Sequence, residues 1–251
     1  MEKEFRAKLK ELKDFGLYAL KTGTEVEDMN FSEIEFMRRI SKDVVPLHVK
    51  IGGPEARNDM RFLLSIRVDC IIAPMIESPY ALKNFIKTLE EIKQQYEVPC
   101  KAGINIETMT GYMQLDAILN SKYANHLCQI TAARTDLSGS MELEPDHPRV
   151  IEICKEILVA CKKKNFLTSV GGAIQPSIIE MLVYELESDF INTRHMVLER
   201  ETLKKDPVNI LKKHLEFEVF LYEYLSKTED PIRKQIHTNR YKVLKERLFK
   251  S

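Results

Sequence analysis

The sequence predicts an α/β fold: a TIM-type (β/α)8 barrel whose first strand is atypical or missing, followed by a C-terminal helical extension. Three observations carry this. Seven short apolar runs, near residues 17–20, 44–51, 70–76, 102–106, 127–133, 166–170 and 189–193, each lead into a helical pattern. That alternation requires a parallel sheet with right-handed crossovers. The runs are also apolar without strict alternation, as in strands buried on both faces. Finally, a 251-residue chain holds seven to eight such units. This favours a closed barrel over an open doubly wound sheet, and no GxGxxG or Walker-type loop supports the open nucleotide-binding alternative.

Taken in order, residues 2–14 are helical, with Phe5, Leu9 and Leu12 on one stripe. The run LYAL then ends at Lys21-Thr-Gly-Thr-Glu25, and a helix follows from Asn30 to Ile40, capped by Asn30 or Ser32. Pro54, after Gly52-Gly53, opens a helix to about Ile66. CIIAPMI is the cleanest buried strand, and Ser78-Pro79 begins the next helix. Helices are expected near 109–121 and 149–164, and one starting at Gln175-Pro176. DFINT is read as the last strand. Residues 1–200 are assigned to the barrel and 201–251 to C-terminal helices. Leu211, Leu215, Phe217, Phe220, Leu221 and Leu225 give those helices an apolar stripe, to pack on the body or on a second subunit, so a homo-oligomer is expected.

Charge and composition exclude several classes. The 38 basic and 38 acidic side chains cancel, which gives no support for nucleic acid or an anionic membrane as partner. No apolar run approaches a membrane span, and MEKEFRAKLKELKD is too charged for a secretory signal. Five cysteines form no CxxC pair, which suits free thiols in a reducing compartment. The expected protein is cytoplasmic and acts on a small anionic molecule.

In parallel barrels the chemistry sits at the carboxyl ends of the strands. Two runs lead there into carboxylates, Glu107 and Asp136. Such a pair suits a hard divalent cation, because Mg²⁺ takes one or two carboxylates and leaves its other positions to water and substrate. The plainer reading of each is a cap at a helix start or turn. Lys21 and Lys50 also end strands. A lysine there holds an anionic oxygen or, if burial lowers its pKa, forms a Schiff base. Arg134 is a clamp for a second anion or an outward ion-pair partner, and Glu25 is a candidate acid/base group. Gly171-Gly172 admits a ligand close to backbone or makes a tight turn. Arg194, after the last strand, is within reach of an anionic substrate. The six histidines show no ligand spacing and are read as structural or surface residues.

IIAPMIES, GINIETMTG and RTDLSGSM, in this order and spacing, resemble the strand motifs of the HpcH/HpaI-type aldolase and citrate lyase β-subunit family, barrels of the pyruvate/phosphoenolpyruvate superfamily. The resemblance covers roughly residues 15–195. It implies Mg²⁺ or Mn²⁺ on Glu107 and Asp136, and a carbon–carbon lyase or aldolase acting on a 2-keto acid or acyl-CoA-like anion. The sequence departs from the family pattern at three places. Lys50 stands where the family has Arg, no His follows Gly23-Thr24-Glu25, and Ala133-Arg134-Thr135 replaces Gly-Pro-x. The family's first strand is also not visible. These departures keep two alternatives open: phosphoenolpyruvate or phosphonate chemistry, and a barrel without catalysis serving as a binding subunit.

Overall fold

The computed structural model describes Met1 to Phe249; residues 250–251 of the C-terminal segment lie outside the described residues. In chain order the elements are α1 (Glu2–Lys13), β1 (Leu17–Gly23), α2 (Phe31–Ser41), β2 (Leu47–Lys50), α3 (Arg57–Ser65), β3 (Cys70–Ala73), α4 (Pro79–Tyr96) and β4 (Lys101–Ile106). They continue with α5 (Met109–Met113), α6 (Leu115–Leu119), β5 (Leu127–Ala133), α7 (Arg134–Ser140), α8 (Pro148–Lys163), β6 (Leu167–Gly171) and α9 (Ile179–Glu185). Last come β7 (Phe190–Asn192), β8 (Met196–Glu199), α10 (Arg200–Leu203), α11 (Pro207–Leu225) and α12 (Pro231–Phe249).

The eight strands close into a barrel in sequence order. β1 to β7 are parallel, but β8 runs antiparallel to both β7 and β1. This resolves the missing first strand. No strand precedes Leu17 among the described residues. The gap between β7 and β1 is filled instead by a hairpin return through Thr193-Arg194-His195. DFINT is therefore not the last strand. A hairpin costs three turn residues where a parallel crossover needs a helix.

Local chemistry sets the helix starts. Asn30 and Glu33 form a reciprocal capping box on α2, Ser78 caps α4 ahead of Pro79, and Asp206 caps α11 ahead of Pro207. Strand residues alternate. Leu47, Val49, Ile71, Ile104, Ile106, Ile130, Val170 and Ile191 belong to the main core beneath the helices. The alternate positions face the barrel axis, and several are polar. There Ser169 Oγ joins Gln129 Nε2 (2.8 Å), Thr131 Oγ1 (2.7 Å) and Asn192 Nδ2 (3.1 Å). The inner faces are thus less apolar than uninterrupted hydrophobic runs imply.

The apolar stripe of α11 is spent within the chain: Leu211, Leu215, Phe217, Leu221 and Leu225 join the main core. Phe5 of α1 meets Phe217 and Phe220 with ring centroids 5.7 and 4.6 Å apart. α12 then turns back over the β1–α2 loop. Arg233 pairs with Glu33, His237 Nε2 lies 2.6 Å from Glu33 Oε1, and Arg240 Nη2 donates to the Val26 carbonyl at 2.8 Å. No helix among the described residues is long and apolar enough to cross a membrane.

Glu33 is the latch that holds α12. Burial alone would raise its carboxyl, but hydrogen bonds from His237, Arg233 and the Asn30 N–H outweigh burial and hold it low. A lowered carboxylate contributes stability above the ordinary range, about 4.5, that is lost as pH falls through the lower folded value. Hydrogen-exchange protection across residues 231–247, relative to the intrinsic rate at each pH, is therefore expected to be high at pH 7 and to fall in acid. Glu33→Gln should cost about 2 kcal/mol, as for hydrogen bonds to a charged partner. It should also bring the lowered protection to pH 7; unchanged protection there would show that α12 is held by packing.

Candidate functional site

One register line runs around the carboxyl ends of the strands. Gly23 pairs with Lys50, Ile106 with Ala132, Ala133 with Gly171, and Gly171 with Asn192. Above this line opens a cleft of about 370 Å³, lined among others by Lys21, Lys50, Asn105, Thr131, Asp136, Gly171, Gly172, Asn192, Arg194 and Arg247. Lys21, Lys50, Gly171, Gly172 and Arg194, picked out by their strand-end positions, thus meet in one place. So does Asp136, in the first turn of α7, which follows β5 without a loop.

Glu107 is buried at the end of β4, where its carboxylate accepts from the Met75 N–H (2.8 Å) and Asn105 Nδ2 (2.9 Å). Asp136 stands close enough that the two carboxyl groups act on each other. Burial pushes both carboxyl groups above their ordinary values; Lys50 opposes this in each case, and Asp136 adds to it at Glu107. Lys50 Nζ lies 2.5 Å from Glu25, and Lys21 Nζ lies 2.7 Å from Glu27. Burial would raise the Glu27 carboxyl, yet the Lys21 and Lys50 ammonium groups hold it well below the usual carboxylate range. Burial would lower Lys50, but Glu27, Glu107 and Glu25 together raise it.

Four carboxylates (Glu25, Glu27, Glu107, Asp136) thus surround the two ammonium groups of Lys21 and Lys50, and Arg194 and Arg247 add two guanidinium groups to the cleft wall. Among the described residues no group of three or more His, Cys, Asp or Glu side chains could hold a metal by itself. A neighbouring pair of carboxylates, Glu107 and Asp136, nonetheless fits Mg²⁺ or Mn²⁺, which needs one or two protein carboxylates and completes its shell from water and substrate.

Arg134 is placed elsewhere. It is fully buried, and its guanidinium donates to Asp146 Oδ1 (2.7 Å) and to the carbonyls of Gly172 (2.5 Å), Ala173 (3.3 Å) and Pro145 (3.4 Å). It does not line the cleft. Of the two sequence readings, its contacts match the ion-pair one: its donors fasten the loops that form the cleft wall. Gly172 stands against the start of α7 with φ +90°, and a Cβ there would lie 2.5 Å from the Thr135 nitrogen, so the wall requires glycine. His195 is buried and bonded to the Lys21 carbonyl and the Tyr222 hydroxyl, a structural role.

Sequence reasoning missed Glu27, Glu218, Arg240 and Arg247. Glu27 tucks in beside Gly23, where a Cβ would lie 2.6 Å from its Oε2. The glycine that ends β1 was the available signal. Glu218 is buried in α11, and its Oε1 accepts from the Thr193 hydroxyl and the His195 N–H, both at 2.6 Å.

With this geometry in hand, the sequence of residues 33–175, more than half of the chain, matches the model of the HpcH/HpaI aldolase/citrate lyase family. The chain belongs to that family. Its structural relatives share the fold at low identity. A HpcH/HpaI aldolase from Desulfitobacterium hafniense DCB-2 superposes with TM-score 0.60 at 16% identity, covering 84% of this chain and 88% of that one. A HpcH/HpaI aldolase/citrate lyase family protein from Burkholderia cenocepacia J2315 gives 0.58 at 11%, covering 85% and 99%. The citrate synthase SbnG gives 0.56 at 13%, covering 83% and 97%. No curated protein sequence matches the chain.

Proposed function

We propose that this HpcH/HpaI family member is a divalent-metal-dependent carbon–carbon lyase or aldolase that acts on a 2-keto acid or a related acyl anion. The observation that carries this reading is the pair of carboxylates beside Lys50, the buried Glu107 and the partly buried Asp136, whose charges act on each other. Glu107 and Asp136 would hold Mg²⁺ or Mn²⁺. A divalent ion there supplies Lewis-acid stabilisation of the negative charge that develops on a substrate oxygen when a bond α to the carbonyl breaks or forms.

The chain's own residues do the rest. Lys50 lines the cleft as an ammonium group, because the surrounding carboxylates raise its pKa. A Schiff-base lysine needs the opposite shift, so Lys50 serves as a point charge toward an anionic oxygen. Glu25, ion-paired to Lys50 and partly open to solvent, is the group placed to move a proton. Asn105 keeps Glu107 aimed. Gly171 and Gly172 would present backbone to the substrate on the opposite wall.

The test is exchange of the pyruvate methyl protons in D₂O, followed by proton NMR on metal-stripped protein with and without Mg²⁺ or Mn²⁺. Exchange that depends on the added ion is the expected result. No ion binding by calorimetry and no exchange with either ion would remove this reading and put a non-catalytic binding subunit in its place.

A further inference from the structure

We infer that Arg194, Arg240 and Arg247 form a second oxyanion subsite in the same cleft, so that the substrate is a 2-keto acid, or its aldol adduct, carrying a distal carboxylate or phosphate. This rests on the proposed keto-acid reading for the near end of the substrate, but its own evidence lies elsewhere.

The three arginines come from two elements. Arg194 sits in the β7–β8 turn that replaces a crossover, while Arg240 and Arg247 are two turns apart on α12. Arg194 and Arg247 line the cleft. Arg194 Nη1 and Arg240 Nη2 converge on one carbonyl, that of Val26, at 3.4 and 2.8 Å. Among the described residues no carboxylate is ion-paired with any of the three, although the chain carries as many acidic as basic side chains. Burial, and then the charge of Arg194, push both Arg240 and Arg247 below the ordinary arginine range.

Crowding guanidinium groups in a partly dry cleft is unfavourable unless an anion joins them. Fastening α12 does not explain the cluster. Arg240 alone makes a good bond to Val26, Arg194 adds only a long one, and Arg247 makes none among the described residues. Glu27, paired with Lys21, and Asp28, paired with Arg233, also act on Arg240; the acid at this end with no ion-pair partner among the described residues is Glu218. Burial raises its carboxyl and so favours the neutral form; one oxygen is already occupied, and Oε2 has no partner.

A cationic cluster at one end and a metal-type carboxylate pair at the other define a molecule with two anionic ends. Pyruvate alone leaves the arginines unused. Both carboxylate and phosphate accept forked guanidinium bonds, and the test separates them.

The experiment uses full-length protein in excess EDTA without keto acid, so that the carboxylate pair takes no part. Binding of inorganic phosphate and of glutarate is measured by calorimetry and by thermal shift for the parent and for Arg247→Gln, Arg194→Gln, Arg247→Lys and Asp136→Asn. One of the two anions should bind the parent and raise its melting temperature. Affinity should fall about tenfold or more in each Gln variant, as expected for loss of a charge-assisted bond. It should recover in part in Arg247→Lys and be unchanged in Asp136→Asn. Glutarate binding without phosphate assigns a distal carboxylate, and the reverse assigns a phosphate. If neither anion binds the parent, or if both Gln variants bind as the parent does, the subsite is overturned even where Mg²⁺ and pyruvate still bind. Anion binding at the arginines with no Mg²⁺ binding would instead keep the subsite and remove the lyase reading.

Discussion

Asp136→Asn is expected to abolish divalent-ion binding and metal-dependent pyruvate exchange while leaving the fold at least as stable as the parent at pH 7. The loss should be on the order of 10³-fold in exchange rate, the scale of one removed electrostatic stabiliser. The stability result follows from the sign of the shift. Burial raises the folded pKa of Asp136 above the ordinary aspartate value of about 3.8. The fold therefore prefers the neutral form, and holding the charged form near pH 7 costs stability that asparagine does not cost. The advantage of the variant should shrink as the pH falls toward 3.8 and vanish below it. Millimolar Mg²⁺ should reverse the ranking at pH 7, because only the parent gains binding free energy from the ion. Thermal melts of both proteins, with Mg²⁺ and with EDTA, check all three statements. A variant less stable than the parent in EDTA would make Asp136 a structural cap of α7, the plainer reading of its position. Glu107→Gln should behave alike in exchange, but with a smaller stability gain, because its carboxylate accepts from Met75 and Asn105.

The parts of this protein legible in its sequence are those where one residue type answers one local demand. Glu107 and Asp136 stand out because each follows a buried apolar run at the end of the strand where a parallel barrel places its chemistry, and Lys21 and Lys50 for the same reason. Seven strands were visible because each is flanked by helical periodicity. The eighth was not: Met196–Glu199 is four residues long, follows a turn without glycine, and merges into the pattern of α10. Arg134 shows a different limit. An arginine at the junction of β5 and α7 can point into the cleft or into the loops beneath, and only the positions of the Gly172, Ala173 and Asp146 acceptors decide. Arg240 and Arg247 lie in a helix charged nearly all round, where sequence alone suggests a solvated surface. Their meaning depends on α12 folding back over the mouth, and that is set by long-range bonds between Glu33 and Arg233 and His237. Charge pairing between residues two hundred positions apart leaves no local trace.

The second large effect falls on Arg134, and it should be structural in character. Arg134→Met keeps most of the buried volume but leaves the carbonyls of Gly172 and Ala173 without their donor, and Asp146 without its cation. Asp146 is half exposed and recovers water, so most of the cost comes from the unpaired carbonyls and the lost packing. About 3 kcal/mol is expected, less than for breaking a wholly buried ion pair. In a chain of this length that corresponds to a fall of about 6–12 °C in melting temperature. Arg134→Lys should recover only part of it, because an ammonium group cannot fork between Asp146 and the Gly172 carbonyl. The kinetic signature separates this role from a catalytic one. Released from Arg134, the segment carrying Gly172, Ala173 and Ile174 no longer holds its side of the cleft. KM for the keto acid should rise, while Mg²⁺ affinity at Glu107 and Asp136 stays within about twofold. The plain outcome that would reverse this is a variant as stable as the parent with kcat reduced by orders of magnitude, since that would put the guanidinium on the substrate after all.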